Sequence, residues 1–104
     1  MAATPLTDAE IDRALTGLPG WAVRDGRLTA AFKGERSAVP DFYAAVAAAE
    51  DEANHHAEVT ILYGTVRLAL STHDAGDAVT SLDTAMAARI GTLAAEHGLR
   101  PADG

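Results

Sequence analysis

Asp25-Gly26 stands between two runs in which apolar and polar residues alternate, Trp21 to Arg24 and Arg27 to Lys33. A type I′ turn needs positive φ at both central positions, and Asp-Gly meets that need at low steric cost. The pair therefore predicts a tight hairpin, which rules out an all-helical or wholly parallel fold. On its second strand Leu28, Ala30 and Phe32 face one way, while Arg27, Thr29, Ala31 and Lys33 face the other.

A second hairpin is predicted about Tyr63-Gly64, joining a strand over Glu58 to Leu62 to one over Thr65 to Thr72. Helices fill the intervals. Thr7-Asp8-Ala9-Glu10 has the capping-box pattern, and Ile11, Ala14 and Leu15 carry a short helix to about Thr16. Pro40 suits the first turn of a second helix, whose apolar stripe is Phe42, Val46, Ala49 and Ala53, with Asp41, Glu50 and Glu52 among its polar positions. Thr80 to Asp83 caps a third, with Leu82, Ala85, Met86, Ile90, Leu93 and Ala94 as its stripe. His97 is expected as a surface residue in the last turn, and Gly98 as its C-cap. The order is α-β-β-α-β-β-α, an α+β fold: a four-stranded antiparallel sheet with helices packed on one face. The 104 residues suffice for one domain, with frayed ends expected over about 1–5 and 99–104.

Composition narrows the function classes. A net charge of −7 with a single lysine disfavours nucleic-acid binding, since phosphate contacts need clustered Lys and Arg. No apolar run approaches a membrane span, and the start lacks the basic and apolar regions of a secretory signal. The absence of cysteine removes disulfides and thiolate metal sites, and fits a cytoplasmic protein.

Three of the four histidines lie in two patches, Asp51-Glu52-Ala53-Asn54-His55-His56 and Ser71-Thr72-His73-Asp74. The first precedes one strand of the second hairpin and the second follows the other, so pairing brings both to one end of the sheet. Imidazole titrates nearest neutrality, which suits such a cluster to proton transfer. Asp51, four residues before His55, shares its face if the helix persists that far, and could orient it. A metal site is disfavoured: adjacent His55 and His56 point to different sides of an extended chain, and no His-Glu-x-x-His spacing exists. Asp83 reads as a helix cap before a catalytic acid, and Trp21 as a core anchor.

Asp51-x-x-x-His55-His56, then Tyr63, Ser71-Thr72-His73 and Asp83, resembles the signature of pterin-4a-carbinolamine (4a-hydroxytetrahydrobiopterin) dehydratases. The opening Leu6-Thr7 to Trp21 and the Asp25-Gly26 hairpin are also similar, so the resemblance covers nearly the whole chain. It implies a hydro-lyase that dehydrates 4a-hydroxytetrahydropterin to quinonoid dihydropterin in tetrahydrobiopterin recycling, without metal or cofactor. His55 and His73 would be the acid/base pair, His56 would bind and orient the pterin, and Asp51 would tune His55. Ser71, Thr72 and Asp74 would join His56 in binding substrate. The resemblance also implies a homodimer or homotetramer, and a possible aromatic amino-acid hydroxylase as pathway partner. Because the family includes coactivators and assembly factors, a non-catalytic binding protein on the same scaffold is the alternative. Three departures bear on the site. Ala57 replaces the usual Pro and is expected to loosen the backbone that holds His56; Asp51 is a methylene shorter than the common Glu; and Asp77 stands where a second glycine is common.

Overall fold

The computed structural model describes residues 4–102. Its elements are α1 (Asp8–Leu15), β1 (Ala22–Arg24), β2 (Arg27–Lys33), α2 (Val39–Ala53), β3 (Glu58–Leu62), β4 (Thr65–Leu70), α3 (Ser81–Glu96) and a short β5 (Arg100–Pro101). All pairings are antiparallel, in the order β1-β2-β4-β3, with β5 added to the end of β2 beyond β1. The α+β fold read from the sequence is the one observed, with helices on one face.

Local chemistry accounts for most boundaries. Thr7 Oγ1 accepts the Glu10 N–H while the Glu10 carboxylate accepts the Thr7 N–H, closing the predicted capping box. Asp25 and Gly26 both take positive φ, as the type I′ turn requires. Thr80 and Asp83 form a second reciprocal box at the start of α3. The core joins Leu28, Phe32, Val66 and Leu70 of the sheet to Phe42 and Val46 of α2 and Met86 and Ile90 of α3. Trp21 anchors one side, edge-on to Phe32 at 6.0 Å.

Several expectations are corrected. Ala53 is exposed and Glu50 is buried, because positions 42, 46 and 50 fall on one helical row. The buried row of α3 is rotated: Asp83 and Ala87 lie inside, whereas Leu82 and Ala85 are exposed. His97 is partly buried, its Nδ1–H donating to the Leu93 carbonyl and its ring tilted against Phe42. Strand β4 ends at Leu70; Thr72 instead forms an isolated bridge with Ala78. The C-terminal segment is not frayed across its described part: Leu99 is buried, Arg100–Pro101 pairs with β2, and Ala102 N–H donates to Ala31 O. Positions 1–3 and 103–104, also expected to fray, lie outside the described residues.

At the end of the sheet where β3 turns into β4, three glycines let loops touch through bare backbone. Gly34 N–H donates to Gly64 O, a Cβ on Gly64 would collide with the Gly34 carbonyl oxygen, and one on Gly34 would lie 2.9 Å from Gly98 O. His55, His56 and His73 lie towards the opposite end.

Candidate active site

The Glu58↔Ala69 pair closes the open end of the β3–β4 hairpin. His55 and His56 enter β3 there and His73 follows β4, so topology brings the two patches together as the sequence predicts. The distribution of carboxylates among them differs from the expected one. Helix α2 ends at Asn54, whose φ of 51° turns the chain left-handed before His55. The helical i,i+4 relation of Asp51 to His55 is thereby lost. Asp51 Oδ1 instead accepts from His56 Nε2 at 3.0 Å, in an exposed pair.

The carboxylate on His55 is Asp83, delivered from the first turn of α3. His55 Nε2 lies 2.6 Å from Asp83 Oδ1, with the imidazole side chain 11% exposed and the carboxylate fully buried. Asp83 Oδ2 accepts both the Thr72 hydroxyl and the Thr80 N–H, each at 2.8 Å, and Thr72 Oγ1 lies 2.7 Å from Thr80 Oγ1. A carboxylate cannot donate, so Nε2 carries the proton in this bond and Nδ1 is the ring nitrogen left for chemistry. Asp83 is thus both a helix cap and the support of His55. Thr72 is buried with its hydroxyl spent on Asp83 and Thr80, which leaves none of it to bind a substrate. Ser71 is half-buried and Asp74 exposed, both beside His73.

Glu50 supplies the second unforeseen support. Its side chain is buried, its Oε2 accepts the Ala57 N–H, and its backbone carbonyl accepts the His55 N–H at 3.0 Å. One residue therefore grips the chain on both sides of His55-His56. A proline at position 57 would have no N–H to offer. The Ala57 departure does not loosen this segment; it creates a hydrogen bond to a buried carboxylate. Asp77, a further departure, sits at φ 61° after Gly76 at φ 73°, and its carboxylate approaches Nδ1 of the largely exposed His73 at 3.3 Å. Two signals in the sequence point to these supports: Glu50 continues the Phe42–Val46 row, and Thr80-x-x-Asp83 fixes a carboxylate at the start of a helix.

Residues 4–93 match the sequence profile of the pterin 4 alpha carbinolamine dehydratase family. The chain belongs to that family. A Streptomyces coelicolor protein, provisionally named a pterin-4-alpha-carbinolamine dehydratase, is 42% identical over 99 residues, covering 94% of this chain and 98% of its own. A similarly named Thermomicrobium roseum protein is 41% identical over 91 residues, covering 86% and 96%. The crystal structure of a transcriptional coactivator/pterin dehydratase from Brucella melitensis superposes with a TM-score of 0.80 at 35% identity, over 86% of this chain and 98% of that one. Family membership thus supports a pterin dehydratase, a lyase. No helix among the described residues is long and apolar enough to cross a membrane.

Proposed function

We propose that the protein dehydrates 4a-hydroxytetrahydrobiopterin to quinonoid dihydropterin and water by histidine acid/base catalysis. The C4a–O bond breaks, the leaving hydroxyl takes a proton to become water, and the reduced ring gives up an N–H proton as its new double bond forms. His55 and His73 exchange these two protons, imidazole being a side chain suited to both giving and taking a proton. Asp83 replaces Asp51 as the group that orients His55, with Nδ1 turned to the substrate. His56, steadied by Asp51, orients the pterin, and Ser71 and Asp74 offer polar contacts at the rim. The reaction needs no cofactor, the pterin being the substrate, and the proposed setting is tetrahydrobiopterin recycling in the cytoplasm, downstream of an aromatic amino-acid hydroxylase.

The observation that supports this reading most is the pairing of the fully buried Asp83 with His55, which fixes one imidazole at the end of the hairpin that also carries the exposed His56 and His73. The test is a stopped assay of 4a-hydroxytetrahydropterin breakdown on metal-analysed protein, with His55→Ala and His73→Ala. Each substitution is expected to reduce the catalysed rate by about a hundredfold or more. Folded variants that dehydrate at the wild-type rate would sink the assignment.

The alternative, a non-catalytic coactivator or assembly protein, draws on the Brucella relative, which is described as both a transcriptional coactivator and a pterin dehydratase. A scaffold has no need of a buried carboxylate oriented on an imidazole, which favours the enzyme. Self-association into a dimer or tetramer is proposed as well, because Leu82, Tyr43 and the edge-strand residues Ile61 and Leu62 leave apolar surface exposed. Sedimentation showing only monomer would remove that part.

A further inference from the structure

Charge on this acidic protein is segregated by the register of its sheet. Leu28, Ala30, Phe32, Val66, Leu68 and Leu70 point into the core, so the alternate positions point away from the helices. Those outward positions carry Arg24, Arg27, Lys33 and Arg67, and Arg100 lies opposite Lys33 across β2–β5. Five of the chain's eight basic residues thus share one face. Two of its fifteen acidic residues accompany them: Glu58, paired with Arg27, and Asp25 in the hairpin turn. Glu35 lies near Lys33 and Arg100 at the glycine end of the sheet, and the other three basic and eleven described acidic residues lie elsewhere. Arg24 and Arg67 have no ion-pair partner among the described residues.

The same face is hollow. A cavity of about 570 Å³ is lined by the small residues Ala22, Thr29, Ala31, Thr60 and Ala69, by Arg24, Arg27 and Arg67, and by the acidic Asp25 and Glu58. None of the histidines lines it, so it is separate from the candidate active site. The small lining residues leave room for a chain to lie along the strands. The cations lie on or directly beside β2, from the Arg24–Arg27 pair at one end past Arg67 to the Lys33–Arg100 pair at the other, and its seven residues span roughly 20 Å, so one small anion cannot meet them all. An extended polypeptide has the same rise per residue and can present carboxylates at matching intervals.

We propose that this outward sheet face binds a short acidic segment of a partner protein in extended form. The five cations supply the charge complementarity. Nucleic acid is the poorer fit: no aromatic side chain occupies an outward strand position to stack on bases, and the eleven described carboxylates off this face repel a phosphate backbone that runs past the patch. Binding of this kind is weak, fast and salt-sensitive, because exposed ion pairs each contribute little and are screened over about 10 Å at 0.1 M salt.

The test uses the full chain and a fluorescein-labelled peptide of alternating Glu and Asp, followed by anisotropy at low ionic strength. Saturable binding is expected, falling as salt is raised to physiological strength. In R24Q/R67Q it should weaken by about fivefold or more, whereas R13Q/R36Q, which changes the same charge off this face, should leave it unchanged. Both sheet arginines are exposed and have no ion-pair partner among the described residues, and pterin dehydration should be unaltered in R24Q/R67Q. In the wild-type protein, peptide-induced amide shifts should fall on Thr29, Ala31 and Arg67 and not on α2 or α3. No saturable binding, equal loss in both double variants, shifts on the helices, or tighter binding of an oligothymidylate of equal charge would each overturn the proposal.

Discussion

The Glu50 carboxylate accepts the backbone N–H of Ala57 across seven positions of sequence, from inside the helix layer to the chain leaving the histidine pair. Both partners are needed, since either one alone leaves a buried polar group unsatisfied. Glu50→Ala is expected to lower stability by about 1–3 kcal/mol in urea denaturation. Ala57→Pro should also destabilise, by stranding the buried carboxylate. In a double-mutant cycle the two losses should fall short of additive by roughly 1 kcal/mol or more. Strict additivity would show that the clamp contributes nothing.

Asp83 and Asp51 each hold one imidazole, at very different depths. Asp83→Asn is expected to reduce kcat by about a hundredfold, with KM changed by less than about twofold, because it disturbs the proton on His55 without touching the pterin. Asp51→Asn should change kcat by less than about threefold, since an exposed pair is worth little. Steady-state kinetics of the two variants on one substrate separate these outcomes. Equal effects would return Asp51 to the role the sequence first suggested.

Two glycines should respond to alanine with opposite signs. At Gly64 a methyl group would strike the Gly34 carbonyl, so Gly64→Ala should cost about 2–4 kcal/mol and lower Tm. Gly91 lies inside α3 with nothing within 4 Å of an added Cβ, so Gly91→Ala should stabilise by about 0.5–1 kcal/mol. Thermal melts of both variants check the pair.

The cap on α1 carries an acid-side pH dependence. Glu10 is held below its ordinary value of 4.5, first by the hydrogen bond from the Thr7 backbone N–H. A carboxyl with a lowered folded pKa contributes stability above its unfolded value and loses it as pH falls through the folded one. Stability should therefore decline below about pH 4.5 with a component that Glu10→Gln removes. Denaturant midpoints for both proteins between pH 3 and 5, roughly, would detect it. An unchanged slope in Glu10→Gln would count against the cap.

What could be read from the sequence was whatever short-range chemistry decides. Asp25-Gly26 set a turn, Thr7 and Thr80 set helix starts, and hairpin topology alone brought His55, His56 and His73 to one end. Features that depend on packing were not legible in the same way. Leu99 looked like part of a tail because nothing local marks β5; only the apolar surface it covers explains its order. Apolar periodicity alone puts Leu82 on the inward stripe of α3, whereas Asp83, a carboxylate holding three donors, faces inward there. Helical spacing alone sets Asp51 against His55, and one left-handed residue, Asn54, breaks that spacing.

Asp83 ties the candidate site to the first turn of α3, and that has a kinetic meaning. Helix ends open far more often than whole domains unfold. Each time the turn at Thr80–Asp83 opens, the imidazole of His55 is released with it, although the sheet and the rest of the core stay intact. Competence for proton transfer and amide protection at Thr80 and Asp83 should therefore rise and fall together. Agents that loosen that one turn would silence the protein while leaving it, by most global measures, folded.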